Sequence, residues 1–379
     1  MKNLNNVIES NIMAKKKVVH ISKTSLAGAP IRIVQALNKY TNYEARLVNF
    51  MPTELSNGEY VFDEDLNWQD KNSRNEAIKL IKDADIIHLH HFMDLEFYNP
   101  FLINFKKETK SGCKFLRHYH TDKEYIAKND LDFNKLYPND NVPSIVIPHY
   151  PERTFLDYPI VPNIIPIRDK DYMPINNNND KIKVAFSVSN KNSYKNERWA
   201  TKGYPEVSAA LRDLSDKMNF EYIEISDMPL KNALQIKQHA DIIVGDIVTG
   251  SYHLTELEGL SLGKPTLTYL DQRSVMTFIN TFCTKDIPFV NVNLNNLECA
   301  LSDIIQNAEL RKSIGEFSRV WMEEYYDDKI LINVFVDIYE NLLCGKEIIR
   351  SGMDNYKNVK EFLYNRIYDY NWLSKKASN

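Results

Sequence analysis

Strand-length apolar runs alternate with helix-length amphipathic segments from one end of this chain to the other, and this rhythm constrains its fold more than any other feature. Residues 17–22 read as a buried strand, and a glycine-containing turn leads into an amphipathic stretch over 31–40. A strand over 44–50, a helix over 75–82 and a strand over 85–90 follow, then a helical 95–109 and a strand over 114–120. Strands joined by helices of this length are parallel, because a parallel pair needs a long crossover and a helix is the usual one. The fold class expected is therefore α/β.

The rhythm breaks between 159 and 180. Pro159, Pro162, Pro166 and Pro174 precede the run Asn176, Asn177, Asn178, Asn179, a composition that favours an extended linker. It restarts with strands over 182–188, 220–225, 240–246 and 265–270, interleaved with helices over 205–217, 231–239 and 252–262; beyond 294 the pattern is mostly helical. The reading is two doubly wound domains, 1–165 and 166–345, with a final segment 346–379 whose apolar spacing predicts a helix packing back onto the first domain. A length of 379 residues suits two cores rather than one.

Composition narrows the function classes. With 43% hydrophobic and 26% charged residues the chain is globular, and a net charge of −4 gives no strong field for nucleic acid or an anionic membrane. The four cysteines are far apart, which argues for reduced thiols and against a disulfide framework. No segment reads as a signal peptide or membrane span, so a cytoplasmic location is expected.

The most informative segment runs from Gly250 through Tyr252, His253, Glu258, Gly263 and Lys264 to Pro265. A helix carrying Glu258 ends at Gly263, and Pro265 opens the next strand. Spacing alone favours an ordinary capped helix with an exposed glutamate. The segment resembles the donor-binding signature of GT-B glycosyltransferases, in particular the large retaining group called family 4. That resemblance implies that Glu258 holds the ribose of a sugar nucleotide. The family's first glutamate would fall at position 250, which is Gly250 here, so the resemblance leaves the sugar-ring contacts to Gly250 backbone amides, Tyr252 or His253. Arg198 and Lys202, followed by Gly203, resemble the pair that clamps the donor diphosphate, and cations there offset charge on the leaving group. Gly28, between the first strand and first helix, occupies the position of the family's glycine-containing loop.

Six of nine histidines fall in the first 120 residues: His20, His88, His90, His91, His118 and His120. On strands His88 and His90 share a face, as do His118 and His120, but the sequence offers no clear third ligand, and cleft or core histidines are the favoured reading over a metal site. His120 ends a strand just before Asp122, as in the family, where such a histidine lines the cleft beside the transferred sugar; His120 and Asp122 are the catalytic candidates, with helix capping the commoner role for Asp122. Four Asp-x-Asp pairs read as solvated loops. The function expected is transfer of a sugar, with retention and without metal or cofactor, from a UDP- or GDP-linked donor to a cell-envelope glycan or lipid-linked acceptor. Hydroxymethylated DNA is the alternative acceptor, kept open by seven basic against three acidic residues over 106–128. A non-catalytic scaffold and a GT-B epimerase share most of these features and stay open beside the transferase.

Overall fold

A computed structural model describes residues 15–129, 141–177, 179–188 and 202–348. Among these, the strands form two sheets in which every pairing is parallel. The first contains β1 (Lys16–Ser22), β2 (Tyr43–Asn49), β3 (Leu66–Asn67), β4 (Ile86–His90), β5 (Lys114–Tyr119) and β6 (Ser144–Val146), in the order β3-β2-β1-β4-β5-β6. The second contains β7 (Lys183–Ser187), β8 (Glu221–Ile225), β9 (Ile242–Val244), β10 (Thr266–Thr268) and β11 (Val290–Asn291), in the order β8-β7-β9-β10-β11. Each order reverses beside its first strand, between β1 and β4 and between β7 and β9, as in a doubly wound Rossmann sheet.

The helices are α1 (Ala29–Tyr40), α2 (Lys71–Asp83), α3 (Phe105–Glu108), α4 (Lys123–Asn129), α5 (Tyr204–Met218), α6 (Leu230–His239), α7 (Leu254–Ser261), α8 (Gln272–Phe282), α9 (Leu297–Gln306), α10 (Ala308–Tyr325) and α11 (Asp328–Leu343). The helix expected over 95–109 shrinks to α3. Pro100 cannot donate to a helical ladder, the Asp94 carboxylate takes the backbone N–H of Glu96 and Tyr98 (both 2.9 Å), and the Asn99 amide binds the carbonyls of Asp94 and Ile103 (3.0 and 2.9 Å). Side chains thus satisfy the backbone groups a helix would have used.

The proline-rich stretch after 159 is extended, as expected, yet it is interior rather than solvated. Val161, Ile164, Ile165 and Ile167 are each no more than 2% exposed. Val161 and Ile164 pack in the core of the first sheet, and Ile165, Ile167 and Tyr172 in a cluster of the second half that also takes in Ala29. The crossing back onto the first sheet is made by α11, whose Ile332, Phe335, Ile338, Tyr339 and Leu342 pack with Ile31, Leu37 and Leu116. Lys16 and Tyr43 fix its far end, donating to Glu340 at 2.7 and 2.6 Å. The final segment 346–379 lies outside the described residues from 349 onward. No described helix is long and apolar enough to cross a membrane.

Candidate functional site

In doubly wound sheets ligands bind beyond the carboxyl ends of the strands where the order reverses, because helix N-termini converge there. Gly28 follows β1, His90 and His91 end β4, Lys202 lies after β7, and Gly250, Tyr252 and His253 follow β9. His120 stands just after β5, and Asp122 accepts the backbone N–H of Tyr125 (2.8 Å) as the cap of α4. Arg198 lies outside the described residues.

The loop after β9 is organised by Asp246, which is fully buried. Its carboxylate takes the backbone N–H of Val248 and Thr249 (2.9 and 2.8 Å) and faces His253 Nε2 at 3.0 Å. Burial pulls its pKa up, but the His253 and Thr249 hydrogen bonds outweigh that and leave it below the ordinary value. Gly250 has φ +83°, and a Cβ there would lie 3.1 Å from Asp271. This backbone disfavours any residue with a Cβ at position 250.

Glu258 is 3% exposed and sits in a buried ionic cluster rather than on an open surface. Arg32 of α1 donates to Oε1 at 2.5 Å and Lys237 of α6 to Oε2 at 2.5 Å, while Lys237 also donates to Thr255 and Arg32 to the Tyr172 hydroxyl. Burial raises the Glu258 carboxyl, yet Lys237 and Arg32 outweigh it and hold it below the usual carboxylate range. Neighbouring Glu256 accepts the N–H of Asp246 (2.6 Å) and of His253 (2.9 Å), the second bond closing the first turn of α7. Gly245 leaves the room this carboxylate needs, since a Cβ there would meet Glu256 Oε1 at 2.2 Å. The Lys202 ammonium, itself buried, stands 4.0 Å from Glu256, beyond hydrogen-bonding distance.

Opposite Gly250 lies a segment that sequence reasoning passed over. Arg153 donates twice to Asp271 (2.7 and 2.9 Å), to Ser274 Oγ (2.8 Å) and to the Gly250 carbonyl (3.3 Å), tying the two halves together. Beside it, Glu152 is 2% exposed and neither oxygen has a hydrogen-bond partner; Arg153 Nε and Arg273 Nε approach at 3.7 and 3.6 Å without bonding it. Burial raises the Glu152 pKa, with the two guanidinium groups opposing. His149 packs on Tyr252 with ring centroids 4.2 Å apart. His149 Nε2, Ser251 Oγ and the Tyr252 hydroxyl are likewise buried without a partner. Unpaired polar atoms are rare in protein interiors and mark a place where a polar ligand or water completes the bonding. The only sequence signal was the string His149, Tyr150, Pro151, Glu152, Arg153, which no strand or helix pattern explains.

The strand register brings five histidines onto one face, because His20 pairs with His88 and His90 with His118. His20 Nδ1 meets His90 Nε2 at 3.0 Å, His90 Nδ1 meets His120 Nε2 at 2.9 Å, and the Tyr339 hydroxyl of α11 lies 2.7 Å from His88 Nδ1 and 3.3 Å from His20 Nε2. Burial holds His20 at about 3 and pushes His88, His90 and His118 well below the ordinary imidazole value. The third imidazole that the sequence did not reveal is thus supplied by pairing between strands.

Neither a protein-family model nor a curated protein sequence matches the chain. Its fold has solved counterparts. Sucrose-phosphate synthase of Thermosynechococcus elongatus superposes with TM-score 0.54 at 11% identity, over 88% of this chain and 100% of that one. A glycosyltransferase from Rickettsia africae gives 0.50 at 13%, over 87% and 99%. HepE of Anabaena, solved with UDP and glucose, gives 0.52 at 10%, over 86% and 100%. At such identities the likeness concerns architecture: two Rossmann-like domains in the GT-B arrangement.

Proposed function

We propose that this chain is a glycosyltransferase that takes its sugar from a nucleoside-diphosphate donor. The observation that carries the reading is the convergence, beyond the carboxyl ends of both sheets, of a buried cation whose ion-pair partner Glu256 stands 4.0 Å away and a set of unpaired polar atoms. Lys202 lies just before the N-terminus of α5 and near that of α7, where helix N–H groups and an ammonium favour a diphosphate. His149, Glu152, Ser251 and Tyr252 offer donors and acceptors of the kind a sugar's hydroxyls satisfy. Proteins that share the architecture, a sucrose-phosphate synthase, a glycosyltransferase and one solved with UDP and glucose, agree with this class.

In this reading Lys202 stabilises the departing diphosphate, and an arginine at position 198 would add a second cation. Glu258 reaches the ribose only when Arg32 withdraws, so opening of the halves and donor binding are coupled through one carboxylate. Glu152 supplies the carboxylate that the backbone at Gly250 does not accommodate. His120, at the end of β5, faces the acceptor side. The acceptor is a glycan or lipid-linked sugar, and the transfer retains configuration.

Calorimetry of the full chain with UDP, GDP and CDP, followed by the matching nucleotide sugars, tests this. One nucleoside diphosphate should bind in the micromolar range, and Lys202→Ala should weaken it about tenfold or more, the loss of one charge-assisted contact. Absence of any binding at millimolar nucleotide would overturn the reading.

A further inference from the structure

The histidine face contains two groups of three imidazoles whose ligand-competent nitrogens lie within 4.8 Å of one another, His20 with His88 and His90, and His90 with His118 and His120. They differ in chemistry. In the inner group both nitrogens of His20 are already engaged, by His90 and by Tyr339, and all three rings are fully buried. In the outer group His118 is fully buried and neither of its nitrogens has a hydrogen-bond partner. His90 Nδ1 and His120 Nε2 already converge at 2.9 Å, and His120 is only partly buried, which leaves a way in.

We propose that His90, His118 and His120 form a binding site for one borderline divalent transition-metal ion of the zinc class, with its remaining coordination position toward the cleft. Three neutral imidazoles without a carboxylate select zinc, cobalt, nickel or copper over magnesium and calcium. A tetrahedral ion with bonds of roughly 2.0–2.1 Å asks its ligand nitrogens to stand about 3.4 Å apart, so the present spacing needs an adjustment of about an ångström or less in each ring. Burial keeps His90 and His118 in the neutral, ligating form at physiological pH. The support behind them matches what metal sites use: His90 Nε2 is held by His20 Nδ1, and His20 in turn by the Tyr339 hydroxyl, which fixes the ring and the tautomer. The site gives a partner to one of the two buried, unpaired nitrogens of His118. It shares His120 with the acceptor side of the sugar-transfer reading, but metal uptake and nucleotide binding are measured separately, so either can fail alone.

The experiment strips the full-length protein with a chelator and titrates it with Co²⁺ and then Zn²⁺, following the cobalt ligand-field spectrum and metal content by mass spectrometry. A single equivalent of cobalt with the intense absorption of a tetrahedral nitrogen site, displaced by Zn²⁺ and untouched by excess Mg²⁺, is the expected result. His118→Asn and His120→Asn should each weaken binding at least about 100-fold, and His20→Gln about 10–100-fold as a supporting ring. The exposed His239→Asn should change nothing. Should a variant fail to fold, ring-nitrogen NMR of the wild-type chain replaces it: Zn²⁺ must shift one nitrogen on each of the three histidines. Uptake below about a tenth of an equivalent, undiminished binding in both asparagine variants, or no ring-nitrogen shift would overturn the proposal.

Discussion

Glu152 and Glu258 are both nearly inaccessible carboxylates, and their surroundings treat them in opposite ways. Glu258 has two cationic donors and is held ionised; Glu152 has two guanidinium groups close by and no hydrogen bond from either. Its pKa is raised by burial. A raised folded-state pKa gives stability that is present below the unfolded value and is lost as pH rises through the folded one. Wild-type protein therefore carries a penalty at neutral pH. Glu152→Gln should raise the melting temperature at pH 7 by about 2–4 °C, equivalent to roughly 1 kcal/mol, and the gain should shrink as pH falls toward about 4. Sugar transfer by the same variant should drop; a variant equally active and no more stable would contradict the role given to this residue. Removing the Glu258 side chain leaves Arg32 and Lys237 buried without their partner. Glu258→Ala should cost about 3–5 kcal/mol in denaturant unfolding, far more than Lys202→Ala, which breaks no hydrogen-bonded pair. Nucleotide affinity has to be read against that difference. None of this was legible in the sequence, where Glu258 reads as a helix residue, since Arg32 stands 226 positions from Glu258 and Arg273 reaches Glu152 from another remote segment of the fold.

At the scale of elements, helix-to-helix approach sets the tightest limits. Gly315 on α10 passes so close to the end of α7 that a Cβ would lie 2.2 Å from the Gly263 carbonyl oxygen, a backbone atom that cannot rotate away. Gly315→Ala should therefore destabilise by about 2–4 kcal/mol through forced displacement of α10, measurable as a lowered urea midpoint. A loss below about 0.5 kcal/mol would mean that α10 shifts freely. Strands such as β1, β4 and β7 and helices such as α1, α5 and α6 were visible as apolar runs and amphipathic periods. The segment over 95–109 was misread because an apolar period says nothing of local side-chain competition, here from Asp94 and Asn99. α8 went unread although Asp271 caps it by accepting the Ser274 N–H at 2.8 Å, a signal present in the sequence.

For the whole molecule, the polar junctions between the halves include, among the described residues, Arg32 with Glu258, and Arg153 with Asp271, Ser274 and Gly250. The second is bidentate and only partly exposed, so Arg153→Ala should cost about 1.5–3 kcal/mol and increase the radius of gyration of the unliganded chain in small-angle scattering. An unchanged scattering profile would show that the Arg153 junction is not needed to hold the halves together. The alternation of strands and helices determined by itself that this chain builds two parallel, doubly wound sheets, because period and length are local properties and a parallel crossover admits few solutions. Which residues meet was decided only by tertiary structure. Register set His90 beside His118, the packing of α1 against α7 joined Arg32 to Glu258, and the loop before Arg153 set Glu152 against Tyr252. Those encounters depend on distances between segments remote in sequence, which no local pattern of residues encodes.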